Sequence, residues 1–329
     1  MSVSQNPPPS RPITLIAPAR LHMGFFDLEG TLGRRFGSIG LGINEIHTRI
    51  EISPASDWIA EGPCNEKALK LARQFAERLN IPFPARIQLH ETIPEHAGLG
   101  SGTQLALAIG LALTKLAGLN LSIREIACLM NRGARSGIGI AVFEQGGLIV
   151  DGGRNALTRV PPLLCRLEIP TGWRFILVLD EHDQGLSGPP EVNAFQTLPP
   201  FPEKLAARIC HLVLLRALPA VAEADLPAFG AAISEIQQWI GDHFAQAQGG
   251  RYTSPRVARL LDYLKDQGAT GIGQSSWGPT GFCMVATPAE ATALVRKALD
   301  DYPGQEARPR LLIASPRNCG TTVVTHDEA

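Results

Sequence analysis

The chain has 329 residues and a mass of 35.3 kDa, enough for about two domains with sizeable cores. Lys and Arg number 30 against 31 Asp and Glu, and a net charge of −1 gives no bulk attraction to nucleic acid or to an anionic membrane. A hydrophobic content of 44% with mean hydropathy +0.04 describes a soluble globular protein rather than a disordered chain or a membrane span. The cations divide into 24 Arg and only 6 Lys. That skew fits either GC-rich codon usage or a demand for the planar fork that grips phosphate and carboxylate.

In chain order, Met1 to Pro12 is Pro- and Ser-rich and lacks a basic region followed by an apolar block. It reads as a frayed tail, not a signal peptide. A strand over Ile13–Ala17 ends at Pro18, and a glycine-studded stretch from Gly24 to Gly42 leads to an alternating strand, Ile46–Ile52. Helical spacing over Asn65–Leu79, with Asn65 as N-cap, precedes a strand at Arg86–His90. The run Gly98-Leu99-Gly100-Ser101-Gly102-Thr103 then enters a small-residue helix, Gln104–Leu116. The most apolar run, Leu105–Gly118, contains Lys115 and is too short to cross a bilayer. A second helix, Ser122–Ala134, opens with a capping-box spacing to Glu125 and breaks at Gly133–Gly139, and a strand follows over Gly146–Val150. A new unit begins with the strand Arg174–Leu179, continues through helices near 203–218, 225–243 and 255–267, and closes as strand 281–286, helix 288–300 and strand 310–315. The domains are therefore placed at 1–168 and 169–329. Six scattered cysteines without a C-x-x-C pair argue against a zinc knuckle and read as reduced thiols of a cytoplasmic protein.

Gly98, Gly100 and Gly102 free the backbone to approach a ligand, and Ser101 and Thr103 place hydroxyls where a helix begins. Backbone N–H groups and the helix dipole make such a terminus an anion site suited to phosphate or pyrophosphate. The spacing is neither the Walker pattern, since no Lys follows, nor G-x-G-x-x-G after a strand. A flexible turn with a Ser/Thr cap is the bland alternative.

The string from Pro94 to Thr103 resembles the central phosphate-binding motif of the GHMP kinase superfamily. Ala17-Pro18-Ala19-Arg20-Leu21-His22-Met23-Gly24 is similar to its N-terminal motif, and Gly271–Met284 stands at its glycine-rich C-terminal one. Two departures separate the chain from the kinases. Ser136-Gly137-Ile138-Gly139 puts glycine where those enzymes usually carry an acceptor-assisting Asp, and Gly273-Gln274-Ser275-Ser276-Trp277-Gly278-Pro279-Thr280-Gly281 introduces an indole. With Arg35–Leu41, Gly133–Gly139 and Asp151-Gly152-Gly153, these features resemble the β-ribofuranosylaminobenzene 5′-phosphate synthase family.

The resemblance implies an α+β, GHMP-kinase-like two-domain fold: an N-terminal domain with the glycine loop at a helix N-terminus, a ferredoxin-like C-terminal domain, and the active site between them. It implies condensation of 5-phosphoribosyl 1-pyrophosphate with 4-aminobenzoate, releasing CO₂ and pyrophosphate on the way to tetrahydromethanopterin, in a cytoplasmic homodimer using Mg²⁺. No nucleic acid or membrane partner is implied. Phosphate and pyrophosphate fall to Gly98, Leu99, Gly100, Ser101, Gly102, Thr103, Arg132 and Arg135, with Mg²⁺ near the Ser101 hydroxyl. Arg20, His22 and Glu191 take the catalytic roles. Ser275, Ser276 and Trp277 take the aromatic acid, the indole as a stacking face, although core packing is its ordinary use. Asp27, Glu144, Asp151 and Asp180 are further carboxylates in or beside matched segments, and Arg34 and Arg35 are further cations there. Two other readings stand beside this one: an ATP-dependent small-molecule kinase of the superfamily, and a catalytically inactive member acting as a sensor.

Overall fold

Pro18 does not end the first strand. In the computed structural model, which describes residues 11–186, 188–302 and 308–325, β1 (Ile13–Asp27) runs straight through it, paired antiparallel with the 19-residue β2 (Phe36–Pro54). Proline lacks the N–H a ladder needs, and the register shifts between Pro18 and Arg20, at a bulge. The bulge turns the Arg20 N–H out of the hairpin and onto the Leu99 carbonyl, at 3.1 Å. A local rule about proline thus marks a functional position. Most of the expected N-terminal tail lies outside the described residues.

After the hairpin come β3 (Ile59–Glu61), α1 (Asn65–Leu79), β4 (Ala85–Glu91), α2 (Ser101–Leu116), α3 (Ile123–Leu129), α4 (Ile138–Gln145), β5 (Leu148–Asp151) and β6 (Leu163–Leu167). Cys64 at φ +59°, not Asn65, precedes the first turn of α1. The predicted capping box of Ser122 and Glu125 is present at α3. Helix α4 is an element that spacing missed, because eight mostly apolar residues without a side-chain cap carry little periodic signal. Helix α2 is apolar all round, as a helix enclosed on every side should be. Strands β1 and β2 cover one side of it and α1, α3 and α4 the others. Gly110 allows α3 this close, since a Cβ there meets Ile126 Cγ2 at 2.5 Å.

The second half holds β7 (Arg174–Leu179), α5 (Pro189–Thr197), α6 (Glu203–Leu212), a π-helical turn (Val213–Ala217), α7 (Leu218–Ala222), α8 (Leu226–Gln248), α9 (Pro255–Asp266), β8 (Thr270–Gln274), β9 (Gly281–Val285), α10 (Pro288–Asp301), β10 (Arg310–Ala314) and β11 (Thr322–Thr325). Its four strands form an antiparallel sheet in the order β10-β7-β9-β8, the ferredoxin-like arrangement. The other sheet has seven strands, β11-β1-β2-β4-β3 with β5 and β6 continuing from β2, so the last strand returns to the first half and pairs with β1. Residues 203–222 are long and apolar enough to cross a membrane by length and composition. Here Ala206, Ile209, Leu212, Val213 and Ala217 of that stretch are buried in a core shared with β1, α8 and β9. Gln237 of α8 locks the halves together, donating to the Met23 carbonyl at 2.7 Å and accepting from the Gln274 N–H at 2.8 Å.

Asp180, just past β7, is a structural anchor. Its carboxylate accepts two hydrogen bonds from Arg256 at 2.9 and 3.1 Å, one from Ser254 Oγ at 2.6 Å and one from the His182 N–H at 3.0 Å. Burial pushes its pKa up, but these donors prevail and hold it at about 2. A depressed carboxyl stabilises the fold above the unfolded-state pKa and ceases to as pH falls through the folded one. Its contribution of about 2 kcal/mol is therefore expected to vanish between about pH 4 and pH 2. In Asp180→Asn the melting temperature should change less steeply across that window; an unaltered slope would remove Asp180 from the account.

Candidate active site

Three positive-φ residues shape the loop before α2: His96 (+56°), Gly98 (+74°) and Gly100 (+91°). Gly100 occupies the N-cap position with no side-chain cap, and its carbonyl accepts from the N–H groups of Thr103 and Gln104, both at 3.1 Å. The first turn, Ser101 to Thr103, is left as a positive dipole end open to an anion.

The two flanking motifs close on this loop through a few polar contacts. Arg20 donates through Nη1 to the Gly98 carbonyl, which also accepts from Ser275 Oγ at 2.7 Å. That hydroxyl in turn accepts from the His22 N–H at 3.0 Å, and the Ser276 N–H donates to the His22 carbonyl at 3.2 Å. Approach is so close that a Cβ on Gly98 would lie 2.1 Å from the Ser275 carbonyl oxygen. The segment after β7 packs in as tightly: the Gly185 N–H donates to the His96 carbonyl at 3.0 Å, and a Cβ on Gly185 would lie 2.1 Å from the Gly278 carbonyl oxygen.

These contacts wall a cleft of about 420 Å³ over the α2 N-terminus. Arg20, Lys67, Arg132 and Arg135 line it against two carboxylates, Glu95 and Glu191. Arg20 is half-buried at the cleft wall; desolvation lowers its pKa to about 10, against an opposing pull from Glu191, and it stays a cation at neutral pH. Burial also lowers Arg132, whose Nε has no hydrogen-bond partner. Arg135 reaches Glu191 at 2.5 Å. Burial raises the Glu191 pKa, and Arg135, Trp277 and Arg20 pull it back. Lys67 hydrogen-bonds Glu95 and holds that carboxyl below its usual range. An excess of cations around an uncapped helix start is chemistry for a multiply charged phosphate ester.

Family models for the GHMP kinase N-terminal and C-terminal domains match residues 66–147 and 217–304. A β-ribofuranosylphenol 5′-phosphate synthase of Archaeoglobus fulgidus is 35% identical, over 94% of this chain and 99% of the relative. Synthases of the same name from Methanothermobacter thermautotrophicus and Methanocaldococcus jannaschii are 31% and 30% identical, each over 97% of its own length. The chain belongs to this synthase family. Its fold is that of the GHMP superfamily: Leishmania major mevalonate kinase (TM-score 0.68, 17% identity) and Staphylococcus aureus mevalonate diphosphate decarboxylase (TM-score 0.67, 14% identity) superpose over 97% and 95% of this chain and 100% and 98% of theirs.

Of the synthase-motif residues expected to act, Arg20, Gly98, Gly100, Ser101, Gly102, Thr103, Arg132, Arg135, Glu191, Ser276 and Trp277 line the one cleft. Leu99 is buried in the core, where it supplies a backbone carbonyl. His22 does not reach the cleft. It lines a separate cavity of about 20 Å³, packs tilted on Phe25 with ring centroids 4.5 Å apart, and has its pKa lowered to about 3 by burial and by Arg20, so it stays neutral. Ser275 is wholly buried as the tether between the motifs. Trp277 is 3% exposed and packs on Phe244 (4.3 Å) and Phe195 (5.4 Å), so the ordinary use of an indole prevails and no open stacking face is offered.

Asp27 caps its own turn, and Asp151 is saturated by Ser38, Ser136 and the N–H groups of Gly137 and Gly153. Arg34 holds the Gly152 and Gly153 carbonyls and Arg35 that of Leu28, outside the cleft. Sequence reasoning missed Lys67, which lies in no motif, and Glu95, which stands inside the Pro94–Thr103 string without being one of its expected ligands. It also missed α5, which brings in Glu191, although Gly188-Pro189-Pro190 is a legible helix start. Gly139 sits in the first turn of α4 facing Thr103: a Cβ there lies 3.3 Å from Thr103 Cγ2. The position where the kinases usually place a carboxylate is thus beside the loop and bears none.

Proposed function

We propose that the chain condenses 5-phosphoribosyl 1-pyrophosphate with a para-substituted benzoate, releasing pyrophosphate and CO₂ and leaving a C-riboside 5′-phosphate, in tetrahydromethanopterin biosynthesis. The carrying observation is the cation-rich cleft over the α2 N-terminus with Gly139, not an acceptor-activating Asp, beside it, and with its two lining carboxylates, Glu95 and Glu191, held in ion pairs. The relatives' names end in a phenol, and the motif resemblance points to an aminobenzene. The two differ in one para substituent, and both NH₂ and OH donate electrons to the ring. We take 4-aminobenzoate as the substrate and 4-hydroxybenzoate as the comparison.

Breaking the C1–O bond to pyrophosphate develops positive charge at the ribose, which the buried Glu191 carboxylate is placed to oppose while Arg20, Arg132 and Arg135 take up the charge of the leaving group. The ring carbon bearing the carboxylate attacks C1. The bond to CO₂ then breaks, and its electron pair restores aromaticity. Neither step takes a proton from the protein, in keeping with a neutral His22 set apart from the cleft.

Among the described residues no group of three His, Cys, Asp or Glu side chains is arranged to hold a metal, and Glu95 and Glu191 are ion-paired. The Ser101 hydroxyl, in the cleft at the α2 N-terminus, would be the protein's contact to a Mg²⁺ that enters with the pyrophosphate. When bound, the ion neutralises charge on the leaving group. Six free cysteines agree with a cytoplasmic location, and the homodimer belongs to the same proposal. Incubation with 5-phosphoribosyl 1-pyrophosphate, Mg²⁺ and carboxyl-labelled 4-aminobenzoate tests the reading. Labelled CO₂ is the expected product; phosphoryl transfer from ATP without it would restore the kinase reading.

A further inference from the structure

With Trp277 closed off by Phe195 and Phe244, the aromatic acid of the proposed reaction needs another surface. Directly beyond Arg135 a second pocket opens, about 590 Å³, with Arg35, Phe36, Arg135, Arg154, Val192 and Phe195 in its walls. Phe36 and Phe195 are half-buried and meet edge to face, their centroids 5.8 Å apart. Each ring lies near a guanidinium: Arg35 is 5.5 Å from the Phe36 centroid and Arg135 is 5.5 Å from that of Phe195. Arg154 is fixed on a third side by donating to the Ala134 carbonyl at 2.9 Å. Three cations against one lining carboxylate, Glu29, with two aromatic rings between, match a flat aromatic anion and not a sugar.

We infer that this second pocket is the subsite for the aromatic acid, and that Arg135 joins it to the phosphate cleft. The inference rests on the synthase reading and adds a place and an orientation. Arg135 lines both cavities, and among the described residues its ion pair with Glu191 runs through Nη2 alone, leaving the other edge of its fork to a second carboxylate. A benzoate carboxylate at Arg135 stands at the junction, where the ring carbon that bears it has to meet C1. The ring then lies along Phe195 and Phe36, and the para substituent points toward the end of the pocket bounded by Arg35 and Arg154.

Two variants test this, Phe195→Leu and Val192→Glu. Phe195 also touches Trp277, but Val192 is 46% exposed on the pocket wall and contributes no core packing, so its variant keeps the fold. In each, the 4-aminobenzoate KM should rise about tenfold or more with the phosphoribosyl pyrophosphate KM within about twofold, a split that misfolding does not produce. Equal rises in both KM values, or no change in either, would overturn the subsite. Equilibrium dialysis of 4-aminobenzoate needs no turnover and separates the subsite from the reaction. Binding to the parent protein that weakens about tenfold in both variants supports the pocket even if no CO₂ is released. Binding unchanged in both would overturn it even in an active synthase.

Discussion

Gly98→Ala should reduce turnover by at least about a thousandfold and lower stability by about 2–4 kcal/mol. The backbone at Gly98 stands at φ +74°, which costs an L side chain about 1 kcal/mol before any contact is counted. The larger effect comes from collision. Its Cβ would lie 2.1 Å from the Ser275 carbonyl oxygen and 3.0 Å from that of Gly278, backbone atoms that a rotamer change cannot clear. Either the glycine loop or the C-terminal motif must shift, and with it the Gly98 carbonyl that receives both Arg20 and Ser275. Gly118→Ala is the control, because Gly118 has φ +63° with nothing within 4 Å of its Cβ and stands at the far end of α2. That variant should show only the conformational cost, with activity kept. Equal losses in the two proteins would mean that contact between the motifs is not what the glycine protects.

Arg20→Gln is the second large effect, and here activity and stability part company. Arg20 is half-buried with a pKa lowered to about 10, and among the described residues no carboxylate lies within ion-pair distance of it. Its fork is oriented by the Gly98 carbonyl at the wall of the phosphate cleft. Holding that charge partly out of water costs folding energy, which binding of the proposed pyrophosphate would return. Removing it should cut kcat/KM for phosphoribosyl pyrophosphate by about 10² to 10³, or about 3–4 kcal/mol of transition-state stabilisation. The melting temperature should stay the same or rise. Arg20→Lys keeps the charge but not the planar fork and should fall between the two. A steep drop in melting temperature with kcat/KM intact would make Arg20 a structural residue.

The sequence displays this site unevenly, for physical reasons. Glycine motifs are readable because backbone that approaches backbone within van der Waals distance admits no other residue, as at Gly98 against Ser275. Long periodic elements such as α1, α9 and α10 are readable because one face is buried and the other wet. Elements set by tertiary packing are not: α4, β8 and β11 are short, and Gly271 and Gly273 interrupt β8 where α8 packs against it. Single residues divide in the same way. Arg20 and Ser276 reach the cleft as their motifs suggest, whereas His22 and Ser275, in the same motifs, are turned inward to hold those motifs together. Motif membership identifies a segment that must touch the site, and packing decides which of its side chains do: Arg20 and His22 share one face of β1, two residues apart, yet only Arg20 lines the cleft. Lys67 belongs to no motif, and only the packing of α1 beside the loop puts it in the cleft, against Glu95 of the loop. Of the 24 arginines, Arg20, Arg132 and Arg135 line the proposed phosphate cleft, Arg35 the neighbouring pocket, and Arg34 is spent on backbone carbonyls, while the skew as a whole stays compatible with codon usage.

In the proposed reaction the phosphate cleft binds pyrophosphate as it leaves, and the pocket joined to it at Arg135 directs a benzoate ring to the carbon it leaves from. The most direct measurement is the ratio of labelled CO₂ to pyrophosphate when the purified protein turns over phosphoribosyl pyrophosphate with carboxyl-labelled 4-aminobenzoate, repeated with the 4-hydroxy acid. The account predicts a ratio of about one at every time point with whichever acid is used, and no pyrophosphate when the acid is left out. Pyrophosphate released without CO₂, or neither product alongside transfer of phosphate from ATP, would contradict it.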